Sequence, residues 1–152
     1  MMKISTKGRY ALRLMLDLAA QEAAQEGGYV SLREVSLRQG VSVKYLEQIV
    51  AQLCRTGYIK SMRGAQGGYR LTRKLEDYKV GDILRATEGD LSPTSCLKDK
   101  YNRCPNADDC PTLPFWQGLN RAINDYVDNT TLADVALGYT KTGAAKKCQP
   151  QY

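Results

Sequence analysis

The sequence predicts a mainly α-helical protein with a small β-hairpin: a winged helix-turn-helix domain followed by a long C-terminal helix. Two observations predict this fold. Three amphipathic helical patterns precede a glycine-rich hairpin in the first 80 residues, and a long apolar stripe at helical spacing follows a cysteine-containing segment. At 152 residues and 43% hydrophobic composition, the chain is large enough for one cored domain with an appended helix.

Changes in residue pattern along the chain predict five segments. We expect a winged helix-turn-helix domain over residues 1–80 and a short connecting helix over 81–90. A cysteine-containing loop then covers 91–114, where prolines are frequent and apolar residues are few. Residues 115–138 are predicted to form a dimerisation helix and a short following helix, and 139–152 a flexible tail.

Local signals predict where the first two helices begin and end. Apolar residues recur at helical spacing from Thr6 to about residue 25, where two glycines follow. Ser31 and Glu34 have the spacing of a capping box, in which a hydroxyl and a carboxylate bind unpaired amides at a helix start. The second helix is therefore short and ends near Gly40.

The second and third predicted helices form a helix-turn-helix pattern. Ser42 is suited to N-cap the third helix, whose apolar stripe leaves several polar residues facing elsewhere. In such a motif the second helix enters the major groove, where Gln pairs with adenine and Glu accepts from the cytosine amino group. The alternative for this face is ordinary solvation. The candidate DNA contacts are Lys44, Tyr45, Glu47 and Gln48.

A glycine-rich hairpin follows the third helix and predicts the wing. Residues 58–62 and 69–72 are strand-like, and the loop between them begins at Arg63. An arginine at a wing tip has the reach and charge to enter a narrow minor groove, although a solvated turn residue is the alternative. The loop does not match a dinucleotide-binding motif, which needs different glycine spacing and a following helix.

Charge and composition limit the classes of function that we expect for this protein. Residues 1–80 have a net charge of +7, whereas 81–152 have −1, so the first half is suited to a polyanion such as DNA. The chain contains no histidine, no plausible nucleophile–base pair and no phosphate-binding loop, and we therefore do not expect an enzyme. Arg13 and Asp17 interrupt the most apolar stretch, so we expect no membrane span and a cytoplasmic protein.

Three cysteines lie within fifteen residues of the predicted loop. Cys96, Cys104 and Cys110 do not have the spacing of a zinc knuckle, and no histidine is available to complete a zinc site. Thiolates also bind iron–sulfur clusters, which the spacing favours over zinc, unligated thiols or a redox disulfide. Cys54 is interpreted as a core residue of the third helix and Cys148 as an exposed thiol in the tail.

The C-terminal region predicts a long helix suited to dimerisation. Its apolar stripe spans about residues 114–128 and is wide enough to pack against a second copy, or alternatively against its own chain. A dimer would place two recognition helices on a palindromic site. Thr131 with Asp134 resembles a further helix start. The stripe consists of Trp116, Leu119, Ile123, Tyr126 and Val127.

Four motifs in order resemble the iron–sulfur cluster regulator (IscR) type of bacterial winged-helix transcription factors. They are residues 2–12, residues 45–48, residues 63–69, and the three cysteines followed by Trp116. The resemblance covers about residues 2–138. It implies a homodimer that binds double-stranded DNA, a palindromic operator, and control of iron–sulfur cluster assembly genes in response to cluster status or redox stress.

The resemblance also implies roles for individual residues. It implies a two-iron, two-sulfur (2Fe-2S) cluster on Cys96, Cys104 and Cys110, and a wing arginine, Arg63, that enters the minor groove. The positions that match the DNA-contacting residues of the family are Ser42, Lys44, Tyr45, Glu47 and Gln48.

Two departures from the family pattern affect the cluster site. The first cysteine interval is two residues longer than in the best-known members, and the residue at the usual histidine position is different, which leaves the fourth ligand open. Relatives with this cluster usually have histidine where this chain has Leu113, and nitric-oxide-sensing relatives use a carboxylate where this chain has Arg9. The remaining candidates are Asp108, Asp109, Cys148 and an exogenous ligand. The alternative function is a thiol-redox or zinc-stabilised regulator, for example of cysteine metabolism, that acts partly through an enzyme partner.

Overall fold

The computed structural model describes residues 4–99 and 101–141 of the chain. The predicted tail from residue 142 onward, including Cys148, lies outside the described residues. The elements in chain order are α1 (Thr6–Ala24), α2 (Leu32–Gln39), α3 (Val43–Arg55), β1 (Ile59–Met62), β2 (Gly68–Leu71), α4 (Val80–Glu88), α5 (Leu113–Asn129) and α6 (Leu132–Lys141). Short 3-10 turns occur at Leu75–Asp77 and Ser95–Leu97.

Serine side chains cap the starts of α1, α2 and α3. The hydroxyl of Ser31 accepts from the backbone N–H of Glu34, and the Glu34 carboxylate accepts from the Ser31 N–H, which confirms the predicted capping box. Ser42 caps α3 by accepting from the N–H of Tyr45 at 3.2 Å. Ser5 caps α1 in the same way. These starts were predictable because both partners lie within three residues of each other.

The main core lies between α1, α2, α3 and the base of the hairpin. Each helix contributes its apolar stripe, and the stripes meet in one continuous cluster that excludes water. Ile83 of α4 and Leu132 of α6 are fully buried in the same cluster. The C-terminal region is therefore packed onto the winged domain. Fully buried side chains of the first three helices include Leu14, Met15, Leu18, Val35, Leu46, Ile49 and Leu53.

The hairpin is a two-stranded antiparallel sheet that is anchored to the chain before α2. Ile59 pairs with Leu71 at its base and Met62 with Gly68 at its tip. Val30 forms an additional antiparallel bridge with Tyr69. Gly68 has φ +151°, and a Cβ there would collide with the Val30 carbonyl. Glycine is thus needed for a close approach to the protein's own backbone.

Two connections attach α5 and α6 to the winged domain. The N–H of Val80 donates to the carbonyl of Thr130 at 2.9 Å, and the N–H of Leu132 donates to the carbonyl of Tyr78 at 2.9 Å. Thr131 and Asp134 form the predicted helix start of α6, with the carboxylate accepting from the Thr131 N–H at 2.8 Å. The turn between α5 and α6 is therefore hydrogen-bonded to the segment that begins α4.

The predicted apolar stripe of α5 divides into two faces. Val127 is buried against α4, and Ile123 and Trp116 lie on the same side of the helix and are half buried. Leu119 and Tyr126 lie on the other side, where 36% and 74% of their surface is exposed. The helix therefore packs against its own chain along one face and presents a second apolar face to solvent.

Within the described part of the chain, no helix is both long and apolar enough to cross a membrane.

Candidate nucleic-acid interface and cysteine loop

The N-terminal end of α3 is open to solvent, as a recognition helix requires. Ser42, Lys44, Glu47 and Gln48 are exposed and belong to its first two turns. The turn before them is short, because α2 ends at Gly40 in the left-handed conformation. These side chains can reach DNA without rearrangement of the core.

Tyr45 differs from the other predicted contacts because its ring is half buried. It packs edge-on against Tyr10 of α1, with ring centroids 6.0 Å apart and planes at 87°. Burial is the main reason that the pKa of its hydroxyl lies above the ordinary value of 10.0. The prediction that Tyr45 faces away from the protein was thus incomplete, because an aromatic ring can pack at the edge of the core and still present its hydroxyl.

Basic residues of α1 lie next to this end of the recognition helix. Arg9 is exposed and lies close enough to Tyr45 for its positive charge to lower the pKa of the Tyr45 hydroxyl. This effect is smaller than that of burial, which raises the same pKa. Arg13 places its guanidinium 4.8 Å from the centre of the Tyr10 ring. Sequence reasoning missed this basic surface. The i, i+4 spacing of the two arginines is the signal that predicts their common face.

Arg63 follows directly after β1 and lies at the exposed end of the hairpin. No salt-bridge partner for it occurs among the described residues. Its position beyond the last strand residue, Met62, is the one predicted for a wing arginine, where a long cationic side chain can extend toward a DNA groove.

The three loop cysteines are on the surface of a segment with little regular structure. Cys96 is half buried and lies 3.1 Å from the Thr94 hydroxyl. Cys104 is exposed, and its N–H donates to the Asn102 side chain. Cys110 lies 3.5 Å from the Thr112 hydroxyl. Hydrogen bonds from Thr112 lower the pKa of Cys110 below 9.0, which favours the thiolate form that binds metals.

Cys96 and Cys104 line one cavity, and Cys110 is outside its lining. Ser95, Asp99, Tyr101 and Arg103 also line this cavity. Among the described residues, no three Cys, Asp or Glu side chains are close enough to hold a single metal ion. The soft thiol donors fit the chemistry of an iron–sulfur cluster, but binding by all three requires Cys110 to join the other two.

Cys54 and the candidate fourth ligands lie in different parts of the structure. Cys54 is half buried on α3, and burial raises the pKa of its thiol, in agreement with the interpretation as a core residue. Asp108 and Asp109 are exposed on the loop. Leu113 is the first residue of α5 and offers no ligand atom.

Comparison with known proteins identifies the family. Residues 4–137 match the model of the Rrf2 family, described as iron-dependent transcriptional regulators. The chain belongs to the Rrf2 family. The protein rrf2 of Nitratidesulfovibrio vulgaris is 40% identical over 135 residues, which cover 88% of this chain and 87% of that protein.

Solved structures of Rrf2-type regulators have the same fold. CymR, the global cysteine regulator of B. subtilis, is 38% identical with a TM-score of 0.73, covering 91% of this chain and 98% of CymR. IscR of T. potens is 38% identical with a TM-score of 0.69, and the match covers 95% of this chain and 93% of that IscR chain. The winged-helix prediction and the resemblance to IscR-type regulators are confirmed. This Rrf2 protein is a DNA-binding transcriptional regulator and not an enzyme.

Proposed function

We propose that this Rrf2 regulator senses iron–sulfur cluster status or redox stress through a 2Fe-2S cluster on Cys96, Cys104 and Cys110. Its targets would be the genes of iron–sulfur cluster assembly. The observation that supports this most is the position of the three thiols, all on the one segment that joins α4 to α5. The IscR neighbour at 38% identity supports the same proposal.

The proposed DNA contacts follow from exposure and charge. Gln48 and Glu47 have side chains that can bind base edges, whereas Lys44 and Ser42 are suited to phosphates. Tyr45 would present its hydroxyl while its ring remains packed on α1. Arg63 would enter the minor groove from the wing.

We propose that the exposed face of α5 is the contact between two copies of the chain. Phe115, Leu119 and Tyr126 follow one another at i, i+4 and i+11, so they lie on one side of the helix, and 65%, 36% and 74% of their surfaces are exposed. A second copy would remove this apolar surface from water. Two-fold symmetry would then present two recognition helices to a palindromic operator.

The cysteine loop connects α4 to α5, and an ion pair also links these two helices directly. Arg85 of α4 binds Asp128 of α5 through two contacts, at 2.6 and 3.0 Å.

A bound cluster would supply thiolate-ligated irons that exchange electrons with oxidants. Ligation alters DNA affinity only by the difference in its free energy between the DNA-competent arrangement and the other one.

The experiment that tests the cluster is an anaerobic assay of iron, zinc, sulfide and visible absorption on wild type, Cys104→Ala and Cys54→Ala. We expect wild type and Cys54→Ala to contain iron with equimolar sulfide and to show charge-transfer bands. Cys104→Ala should lose both while keeping its helical circular dichroism. An unaltered visible spectrum in Cys104→Ala would exclude Cys104 as a ligand and refute the proposed site.

A second candidate function is thiol-redox or zinc-stabilised regulation, for example of cysteine metabolism, with an enzyme as partner. The shared cavity of Cys96 and Cys104 favours it, as does the similarity to the cysteine regulator of B. subtilis. Zinc, or no metal after anaerobic reconstitution, together with a disulfide between these two cysteines would support this function instead.

A further inference from the structure

Glu88, the last residue of α4, binds the N-terminus of α1. Its Oε1 accepts three hydrogen bonds, from the Ser5 N–H at 3.0 Å, the Ser5 hydroxyl at 2.7 Å and the Gly8 N–H at 2.8 Å. These N–H groups are among those that an α-helix leaves without an internal partner, and the helix dipole favours negative charge there. The carboxylate is half buried, so the contact is only partly screened by water.

The sequence leaves space for this carboxylate. Gly8 is buried, and a Cβ at that position would collide with Glu88 Oε1. The φ of Gly8 is not in the left-handed region, so backbone conformation does not require glycine here. A side chain at residue 8 would therefore have to displace the Glu88 carboxylate.

The same end of α1 supports the recognition helix. Tyr10, two residues after Gly8, packs edge-on against Tyr45 of α3. The charge of Glu88 contributes to the raised pKa of Tyr45, after burial and the charge of Tyr10, which places the carboxylate within electrostatic reach of α3. Three helix ends therefore meet at this point: the end of α4 and the starts of α1 and α3.

The connection from α4 to the cysteine loop begins at the next residue. Gly89 follows Glu88 with φ +84°, a conformation that turns the chain away from α4. The contact between Glu88 and α1 is therefore adjacent in sequence to the connection between α4 and the cysteine loop.

We infer that Glu88 is a positioning residue for DNA recognition, which holds the start of α1 so that Tyr10 fixes Tyr45 and the N-terminal end of α3. The positioning role requires only the DNA binding of the family and does not depend on a cluster.

The test compares Glu88→Ala with Glu76→Ala, which removes an exposed carboxylate in the turn at Leu75–Asp77. The probes are the duplex that wild type selects from a random-sequence pool and a scrambled duplex of equal length. We expect Glu88→Ala to lose about ten-fold in affinity for the selected duplex and less than about two-fold for the scrambled one. Glu76→Ala should bind both as wild type does.

Two further variants separate positioning from general destabilisation. Gly8→Ala should reproduce the selective loss, because its methyl group displaces the carboxylate. In the Glu88→Ala background the same change should have no further effect, since the carboxylate is already absent. Glu88→Gln keeps an acceptor oxygen but loses the negative charge, so we expect a folded protein with a loss of about three-fold.

Tyr45 provides a readout that a purely structural role would not change. In NMR titrations of ring-labelled tyrosine, the pKa of Tyr45 should fall in folded Glu88→Gln, because a cause of its elevation is removed. Equal affinity losses on both duplexes, or wild-type selectivity in folded Glu88→Gln and Gly8→Ala, would overturn the inference. So would a Gly8→Ala effect that persists in full without Glu88.

Discussion

Arg85 and Asp128 form a two-contact ion pair that joins α4 to the C-terminal end of α5. Arg85 Nη1 lies 2.6 Å from Asp128 Oδ1, and Nη2 lies 3.0 Å from Oδ2. Nη2 also donates to the Asn124 side chain at 2.6 Å. The two helices that the cysteine loop connects, α4 and α5, are therefore also held to each other by side-chain contacts.

This pair predicts a measurable coupling energy. Arg85 is 35% and Asp128 45% exposed, so solvent weakens the attraction, while the two-contact geometry strengthens it. We expect a coupling of about 1 kcal/mol between Arg85→Ala and Asp128→Ala in a double-mutant cycle of urea unfolding. Arg33→Ala, on the exposed side of α2, should change the free energy of unfolding by less than about 0.5 kcal/mol. A coupling of zero would show that the pair does not connect the two helices energetically.

The capping box of α2 predicts a pH-dependent effect of Ser31→Ala. Hydrogen bonds from Ser31 lower the pKa of Glu34 below 4.5, so the ionised carboxylate stabilises the fold above that value. This contribution is lost as the pH falls through the lowered pKa. Ser31→Ala should therefore cost about 1 kcal/mol at neutral pH and less at about pH 3.

Urea unfolding of wild type and Ser31→Ala at both pH values measures this difference. Ser95→Ala, in the cysteine loop, is the control because Ser95 N-caps none of the described helices. A cost that grows on acidification would contradict the sign derived from Glu34.

Sequence predicted the local features of this protein and missed those that depend on distant residues. The caps at Ser31 and Ser42 were visible because each donor and acceptor lie within three residues of each other. The contact of Glu88 with Ser5 joins residues 83 apart and has no local signal. The division of the α5 stripe also escaped prediction, because helical spacing shows which residues share a face but not what covers it.

The candidate site also combines features that have a local signal with features that depend on distant residues. Exposure of the polar residues on α3 followed from periodicity, whereas the half-burial of Tyr45 depends on Tyr10 of another helix. The presence of three thiols on one loop was plain from sequence. Their spatial arrangement was not, because a loop with few apolar residues has no packing pattern from which to infer its path.

Recognition helix and wing are expected to contribute differently to DNA binding. Gln48→Ala should cost about 1–3 kcal/mol on the selected duplex and little on a scrambled one, because base-edge contacts provide discrimination. Arg63→Ala should weaken binding to both and reduce the slope of log affinity against log salt by about 1. Fluorescence anisotropy at four salt concentrations measures both effects. If Arg63→Ala lost selectivity and Gln48→Ala did not, the wing and not the recognition helix would provide base discrimination.

The exposed apolar face of α5 predicts the oligomeric state. Leu119→Glu places a charge within the proposed contact, so we expect the protein to become monomeric at micromolar concentration. Arg121→Glu, which is exposed on a different side of the helix, should leave the dimer intact. Light scattering coupled to size exclusion distinguishes the two masses. A Leu119→Glu protein that remains a dimer would locate the interface elsewhere.

In the proposed mechanism, occupancy of the cysteine loop by a cluster alters the affinity for DNA. The most direct measurement is the affinity of one anaerobic preparation for the selected duplex, before and after removal of iron and sulfide, with Cys54→Ala as the control variant. We expect the affinity to change at least about five-fold in wild type and in Cys54→Ala, and to stay the same in Cys104→Ala. Equal affinities for loaded and stripped wild type, with iron and sulfide demonstrated in the loaded sample, would contradict it.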